Sequence, residues 1–221
     1  MVVGALATWA SEATAGRLLI PAVYAEADLA DEAGAATLLL RGALDSETRP
    51  VIPAVEMAAY KQPITLGTAQ QSLKTFGADR VVWGHLDRIG STLVMRASVI
   101  DETGAITQSV SATAPDGDVR DLIEEIAEDA ASALGMPKPT VADASLGQLR
   151  PFVLAARLSL AGQWAAAASV LEAGDPVVAA RIAPARSAAR QVWSRADLPL
   201  PARLTAVVAG GTPRDDPRRR R

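Results

Sequence analysis

From Arg80 onward, apolar and polar positions alternate with a period of two. Val82, Gly84 and Leu86 stand against Val81, Trp83 and His85, and Leu93, Met95, Ala97 and Val99 form the next inward row. Ile106, Gln108, Val110 and Ala112 then alternate with Thr107, Ser109 and Ser111. Such alternation marks half-buried strands. The connections, Ile89-Gly90-Ser91 and Asp101-Glu102-Thr103-Gly104, are tight turns, so the spacing predicts an antiparallel meander with one face polar enough to meet water.

The period then becomes helical. At ~100° per residue, Val119, Leu122, Ile123, Ile126, Ala127, Ala130, Ala133 and Leu134 share one side of a helix. Asp118, Asp121, Glu124, Glu125, Glu128 and Asp129 hold the other. Asp118 is placed to cap this helix, Gly135 to end it and Pro137 to prevent its resumption.

Upstream, "GRLLIPAVYAE" reads as a short buried strand in which Pro21 demands an edge, a bulge or an early end. "DLADEAGAATLLLRGALDSE" reads as a helix capped by Asp28, with Leu29, Ala33, Ala36, Leu40 and Ala43 or Leu44 at helical spacing. "VIPAVEMAAY" reads as a second strand. "TLGTAQQSLKTFGAD" reads as a helix with Leu66, Ala69, Leu73 and Phe76 on one stripe and Gly77 beyond its end. The order β-α-β-α-β-β-β-α predicts an α+β fold, a mixed sheet with helices packed on it. A linker at 137–147 leads into Ala-rich helices with breaks near Gly162 and Asp175-Pro176, predicting a small α-helical hairpin unit over 148–196. Residues 197–221, ending in Arg218-Arg219-Arg220-Arg221, read as a mobile basic tail.

Composition sharpens this division. The net charge of -3 conceals 10 basic and 20 acidic residues up to Ser145, followed by 12 basic and 5 acidic residues from Leu146. An acidic unit followed by a basic one implies two surfaces that dock on each other or face different partners. Cysteine is absent, which removes disulfides, thiolate catalysis and cysteine zinc sites. No run reaches the roughly 20 apolar residues of a membrane span. Residues 1–15 support two readings, the remnant of a secretion signal before Ala13-Thr14-Ala15 or an ordinary first helix.

Candidate chemistry is sparse. His85 is the single histidine, and a general base needs a partner and an orienting group; a sheet position is expected, with a pH-sensitive or ligand contact as the alternative. One histidine cannot make a His-His metal site. Glu124/Glu128 and Glu125/Asp129 are i,i+4 pairs able to hold a hard cation, but no Gly-containing calcium loop accompanies them. They read as a solvated face or a dock for a basic partner, the C-terminal helices being the nearest. The glycines form no phosphate-cradling motif and no serine sits in a nucleophile elbow. Trp83, Trp164 and Trp193 read as core anchors. No catalytic, metal-binding or cofactor-binding residue is therefore predicted. No nucleic-acid partner is expected either, because the arginine tail lacks interleaved aromatics.

Several stretches carry a family resemblance. Gly77-Ala78-Asp79, the Val82-x-Gly84 strand, Arg96 with Ile100-Asp101 and Thr103-Gly104, and the helix ending Ala133-Leu134-Gly135 resemble the TolB amino-terminal-like domain. That domain is related to curli-secretion and flagellar outer-membrane assembly proteins and to penicillin-binding-protein activators. The resemblance covers roughly residues 16–136, and Leu19-Ile20-Pro21-Ala22 departs from the family's usual first-strand ending. "LAGQWAAAASVL", with Gly162, Trp164 and Ala167, is similar to a single tetratricopeptide-like hairpin. The resemblance implies a non-catalytic protein–protein interaction or assembly module of a bacterial cell-envelope or sensory system, and it brings no catalytic residues. The periplasm or cell envelope is the expected compartment, with the cytoplasm as the alternative. Candidate partner-binding residues are Arg150, Arg157, Arg181, Arg186, Arg190 and Arg195, with Glu124, Glu125 and Glu128. A small-molecule sensor with a pocket between sheet and helices is the alternative function.

Overall fold

In the computed structural model, the described residues are 16–46, 48–52, 57, 64–161, 163–172, 174–175 and 177–178. Among these residues, four strands form one sheet in the order β1 (Leu18–Leu19), β2 (Arg80–Ile89), β3 (Thr92–Ile100), β4 (Ile106–Pro115). β1 runs parallel to β2, and β2–β3 and β3–β4 are antiparallel. The expected α+β fold, a mixed sheet closed by a three-strand meander, is present.

β1 is interrupted where Pro21 falls. Leu19 is opposite Val81, and pairing resumes only as a bridge between Tyr24 and His85. The first segment thus holds one residue more than β2 between these pairings, which makes a bulge. Helix α1 (Ala30–Leu44) repairs the gap. Thr37 Oγ1 accepts the Val23 N–H at 2.9 Å and donates to Ala33 O at 2.7 Å. Arg41 donates to Ile20 O from Nε at 2.9 Å and Nη2 at 2.6 Å. Enclosure from water lowers the Arg41 pKa to about 10, so it is still a cation at neutral pH. Of the second predicted strand, the described residues show a single parallel bridge between Val51 and Leu18, on the side of β1 away from β2, while Met57 is helical instead of extended. Most of that segment, 53–56 and 58–60, lies outside the described residues.

α1 and α3 (Val119–Ala133) lie together on the inner face of the sheet. That face is the predicted row of Val82, Leu86, Leu93, Met95, Ala97, Val99, Val110 and Ala112, all buried with Leu122, Ile123, Ile126 and Ala130 of α3. Asp118 stands before α3, but its side chain makes no capping bond. Asp28 likewise caps nothing; it lies in a single 3-10 turn, and its carboxylate meets Arg88 at 3.5 Å. Gly135, at φ 65°, ends the α3 segment in the left-handed region that favours glycine. Helix α2 (Ala69–Phe76) covers one end of the opposite face, where Leu73 and Ala69 pack with Leu19, Ile52, Val81 and Ile100.

Further along lie α4 (Leu146–Leu160) and α5 (Trp164–Glu172), and Val177 and Val178 are again helical. A capping box opens α4: the Ser145 N–H donates to Gln148 Oε1 at 2.9 Å, and the Gln148 N–H donates to Ser145 Oγ at 3.4 Å. Leu149, Phe152 and Val153 join the main core, as do Val141 and Ala144 of the stretch read as a linker. α1 is consequently enclosed between sheet and α4, with Ala33, Ala35, Ala36, Leu38, Leu39 and Leu40 all buried. Ala155 and Ala167 bury each other's helices in a smaller cluster between α4 and α5.

Candidate interaction surface

The outer face of the sheet divides in two. Trp83 closes the covered end, its indole N–H donating to Ile64 O at 3.0 Å. Beyond it lies a broad polar area whose rows follow from the strand register. Trp83 stands beside Ser98 and Ser109, His85 beside Arg96 and Ser111, and Asp87 beside Val94 and Thr113. Arg96, Ser109, Ser111 and Thr113 are exposed.

Tyr24 belongs to this face through the bulge. Its N–H donates to Gly84 O at 2.9 Å and its carbonyl accepts from the Leu86 N–H at 2.8 Å, which fixes it beside His85. The two rings lie 5.3 Å apart at 52°, and the Trp83 and His85 rings lie 6.2 Å apart at 39°. His85 Nε2 is 3.3 Å from Asp87 Oδ1, two residues along the same strand. The imidazole is therefore held by two rings and a carboxylate, with the Arg96 position across the ladder. Tyr24 itself is 55% exposed, unusual for so large a ring. This arrangement presents hydrogen-bonding groups and aromatic area on an open sheet. It suits contact with a surface better than enclosure of a substrate.

Among the described residues, the α3 carboxylates pair with local cations. Arg120 meets Glu124 at 3.2 Å, Asp121 at 3.2 Å and Asp143 of the linker at 3.7 Å. Lys138 Nζ lies 2.8 Å from Glu128 Oε2, and that hydrogen bond, with the negative charges of Glu128 and Glu124, raises the Lys138 pKa. These pairs staple the 137–147 stretch along α3. Glu125 and Asp129 are exposed and make no ion pair among the described residues.

Of the candidate arginines, Arg150 and Arg157 reach Asp31 in the first turn of α1, at 3.4 Å and 2.9 Å. Their side chains are still 61% and 44% exposed. Arg181, Arg186, Arg190 and Arg195, like Trp193, lie outside the described residues. Arg150 and Arg157 thus pair with α1 and not with the α3 glutamates. Tyr24 and Arg96 were not singled out from sequence as surface residues. Alternation alone could have placed Arg96 on the outer face, whereas the bulge shifts Tyr24's parity by one residue and hides it.

No protein-family model matches the chain, and no curated protein matches it at a significant level. Among solved structures, the chain is similar to the LpoB C-terminal domain from Salmonella enterica, at 18% identity and TM-score 0.38, over 47% of this chain and 84% of that one. It is similar to the lipoprotein GNA1162 from Neisseria meningitidis at 19% identity and TM-score 0.35, over 47% and 82% of the two chains. It is also similar to TolB from Acinetobacter baumannii at 17% identity and TM-score 0.37, over 56% of this chain but 29% of that one.

Proposed function

We propose that the protein is a non-catalytic protein-interaction module of a bacterial cell-envelope or sensory assembly, working in the envelope or periplasm. The observation that carries this reading is Tyr24, more than half exposed over His85 on an open polar sheet face. An exposed tyrosine ring offers large contact area at a low cost in conformational entropy, and tyrosine is enriched where proteins meet. On the other side of the sheet, the exposed Arg150 and Arg157 and the α3 glutamates offer a separate surface to charged partners. The test is affinity capture followed by titration of the purified partner against the purified chain. Saturable binding, weakened several-fold by Tyr24→Ala with the unfolding midpoint unchanged, is the expected result. A metabolite that raises the melting temperature strongly, with no protein partner bound, would replace this reading with a ligand-sensing one.

A further inference from the structure

β4 ends the sheet, and among the described residues nothing pairs with its free side. A proline reveals which backbone groups point that way. Pro115 has no N–H, so Thr92 and Pro115 cannot be a reciprocally bonded pair. The Asp116 N–H donates to Ser91 O at 2.9 Å, the bond that flanks a non-hydrogen-bonded pair. Pair types alternate along an antiparallel ladder. Leu93–Ala114, Met95–Ala112 and Ala97–Val110 therefore carry the β3 bonds, while Ser109, Ser111 and Thr113 turn their N–H and C=O groups outward. Natural edges are usually blunted by charges, prolines or bulges. No residue from Ile106 to Ala114 is charged or proline, and the register irregularity lies at the far end, at Val99/Ile100.

We propose that this edge receives an extended, lysine- or arginine-bearing segment of a partner protein as a fifth strand. The proposal rests on the interaction-module reading and names the surface and the partner's chemistry. Charge selects the occupant. Arg120, which pairs with Asp143, and the buried Ala127 and Ala131 share the flank of α3 that is covered by its neighbours. At ~100° per residue, Glu125 and Asp129 fall on the opposite flank. α3 contacts β3 and β4, whereas α1 bonds the 20–23 segment at the β1 side. The Glu125 and Asp129 flank therefore looks out past β4. A cationic strand satisfies both the outward amides and these carboxylates. A second copy joined through β4 would set two acidic flanks against each other around a two-fold axis.

Proline at 111 removes one outward N–H and no β3 bond, a position where edge strands tolerate it. The probe is a fluorescent peptide of alternating Val and Thr flanked by Lys, titrated against the full chain, with hydrogen exchange read at Ser109, Ser111 and Thr113. Saturable binding, slowed exchange at these three amides, and a loss of roughly tenfold in affinity on Ser111→Pro are expected. Glu125→Lys with Asp129→Lys should weaken the Lys-flanked peptide and favour a Glu-flanked one. Absence of peptide binding, or binding indifferent to Ser111→Pro while the unfolding midpoint is kept, overturns the proposal. So does protection that grows with protein concentration, which marks a second copy, or protection in the free chain that deletion of residues 197–221 abolishes. A purified partner that binds Ser111→Pro undiminished removes the edge and leaves the interaction reading standing; the lack of any protein partner removes that reading itself.

Discussion

The Thr37 hydroxyl stands in for a missing strand, accepting the Val23 N–H at 2.9 Å where β1 has already ended. Thr37 is buried, so no water is at hand to take over. Thr37→Val keeps the shape and leaves the Val23 N–H unpaired, which should cost about 1–3 kcal/mol of stability. Thr37→Ser should retain most of it. Urea unfolding of the three proteins, with amide exchange at Val23, checks both outcomes.

The β1 repair also shows what the sequence could and could not tell. Pro21 announced a break, but nothing local named Thr37 and Arg41 as its menders, since they lie a helix away and one turn apart. The meander was legible because each strand has one wet face, so Leu93, Met95, Ala97 and Val99 alternate cleanly. α1 was legible as a helix but not in its surroundings. Enclosed between sheet and α4, it is apolar nearly all round and presents no single stripe. For the surface, the His85 row followed from alternation, while Tyr24 escaped because a bulge reverses parity. The outward amides of β4 depend on pairing type, which the register of Pro115 and the Asp116–Ser91 bond supply.

Gly34 lets α4 approach α1: a β-carbon at position 34 would overlap Val153 Cγ1. Alanine is worth up to about 1 kcal/mol over glycine in a helix interior. Overpacking against a buried valine costs about 1–3 kcal/mol, so steric cost should win and Gly34→Ala should destabilise. Combining it with Val153→Ala opens the space again. A double-mutant cycle by chemical denaturation should then give a total loss smaller than the sum of the single losses, with the two sites coupled by at least about 0.5 kcal/mol.

The Asp101 turn should respond to acid in a defined sense. Its Oδ1 accepts from Thr103 Oγ1 at 2.6 Å, from the Thr103 N–H at 2.9 Å and from the Ala105 N–H at 3.1 Å. The Thr103 hydroxyl bond leads in holding its pKa below the ordinary carboxylate value, with the two N–H bonds and the Arg80 charge adding to it. A depressed acid contributes stability above its unfolded pKa of about 3.9, and that contribution fades as pH falls through the lower folded value. Thr103→Val should move the Asp101 titration, followed by carboxyl NMR, upward toward the ordinary value. An unmoved midpoint would show that the N–H bonds and the Arg80 charge set it.

Arg88 ties three separate pieces of chain to the end of β2. Its guanidinium reaches Asp28 at 3.5 Å, Glu32 at 3.4 Å and Asp116 at 3.1 Å, joining the turn before α1, the first turn of α1 and the β4–α3 connection. The three acids are not equivalent. The Glu32 side chain is 12% exposed, against 63% for Asp28 and 43% for Asp116. Exposed pairs are worth about 0–1 kcal/mol and are screened by salt. Stripping a fully buried carboxylate of its cation costs about 3–5 kcal/mol. Arg88→Ala should fall between these limits, at about 1–3 kcal/mol, with Glu32 responsible for most of it. If so, Glu32→Gln in the Arg88→Ala background should recover stability, because it removes the stranded charge, whereas Asp28→Asn should recover little. Arg88→Lys should rescue only in part, since one compact ammonium cannot span three carboxylates as a planar fork does. Raising salt should narrow the gap between Arg88→Ala and the parent only slightly, because the pair that matters is the one least open to counterions. Equal recovery from Glu32→Gln and Asp28→Asn, or a gap that closes in salt, would assign Arg88 to the surface charge balance instead of to the seam between sheet and helices.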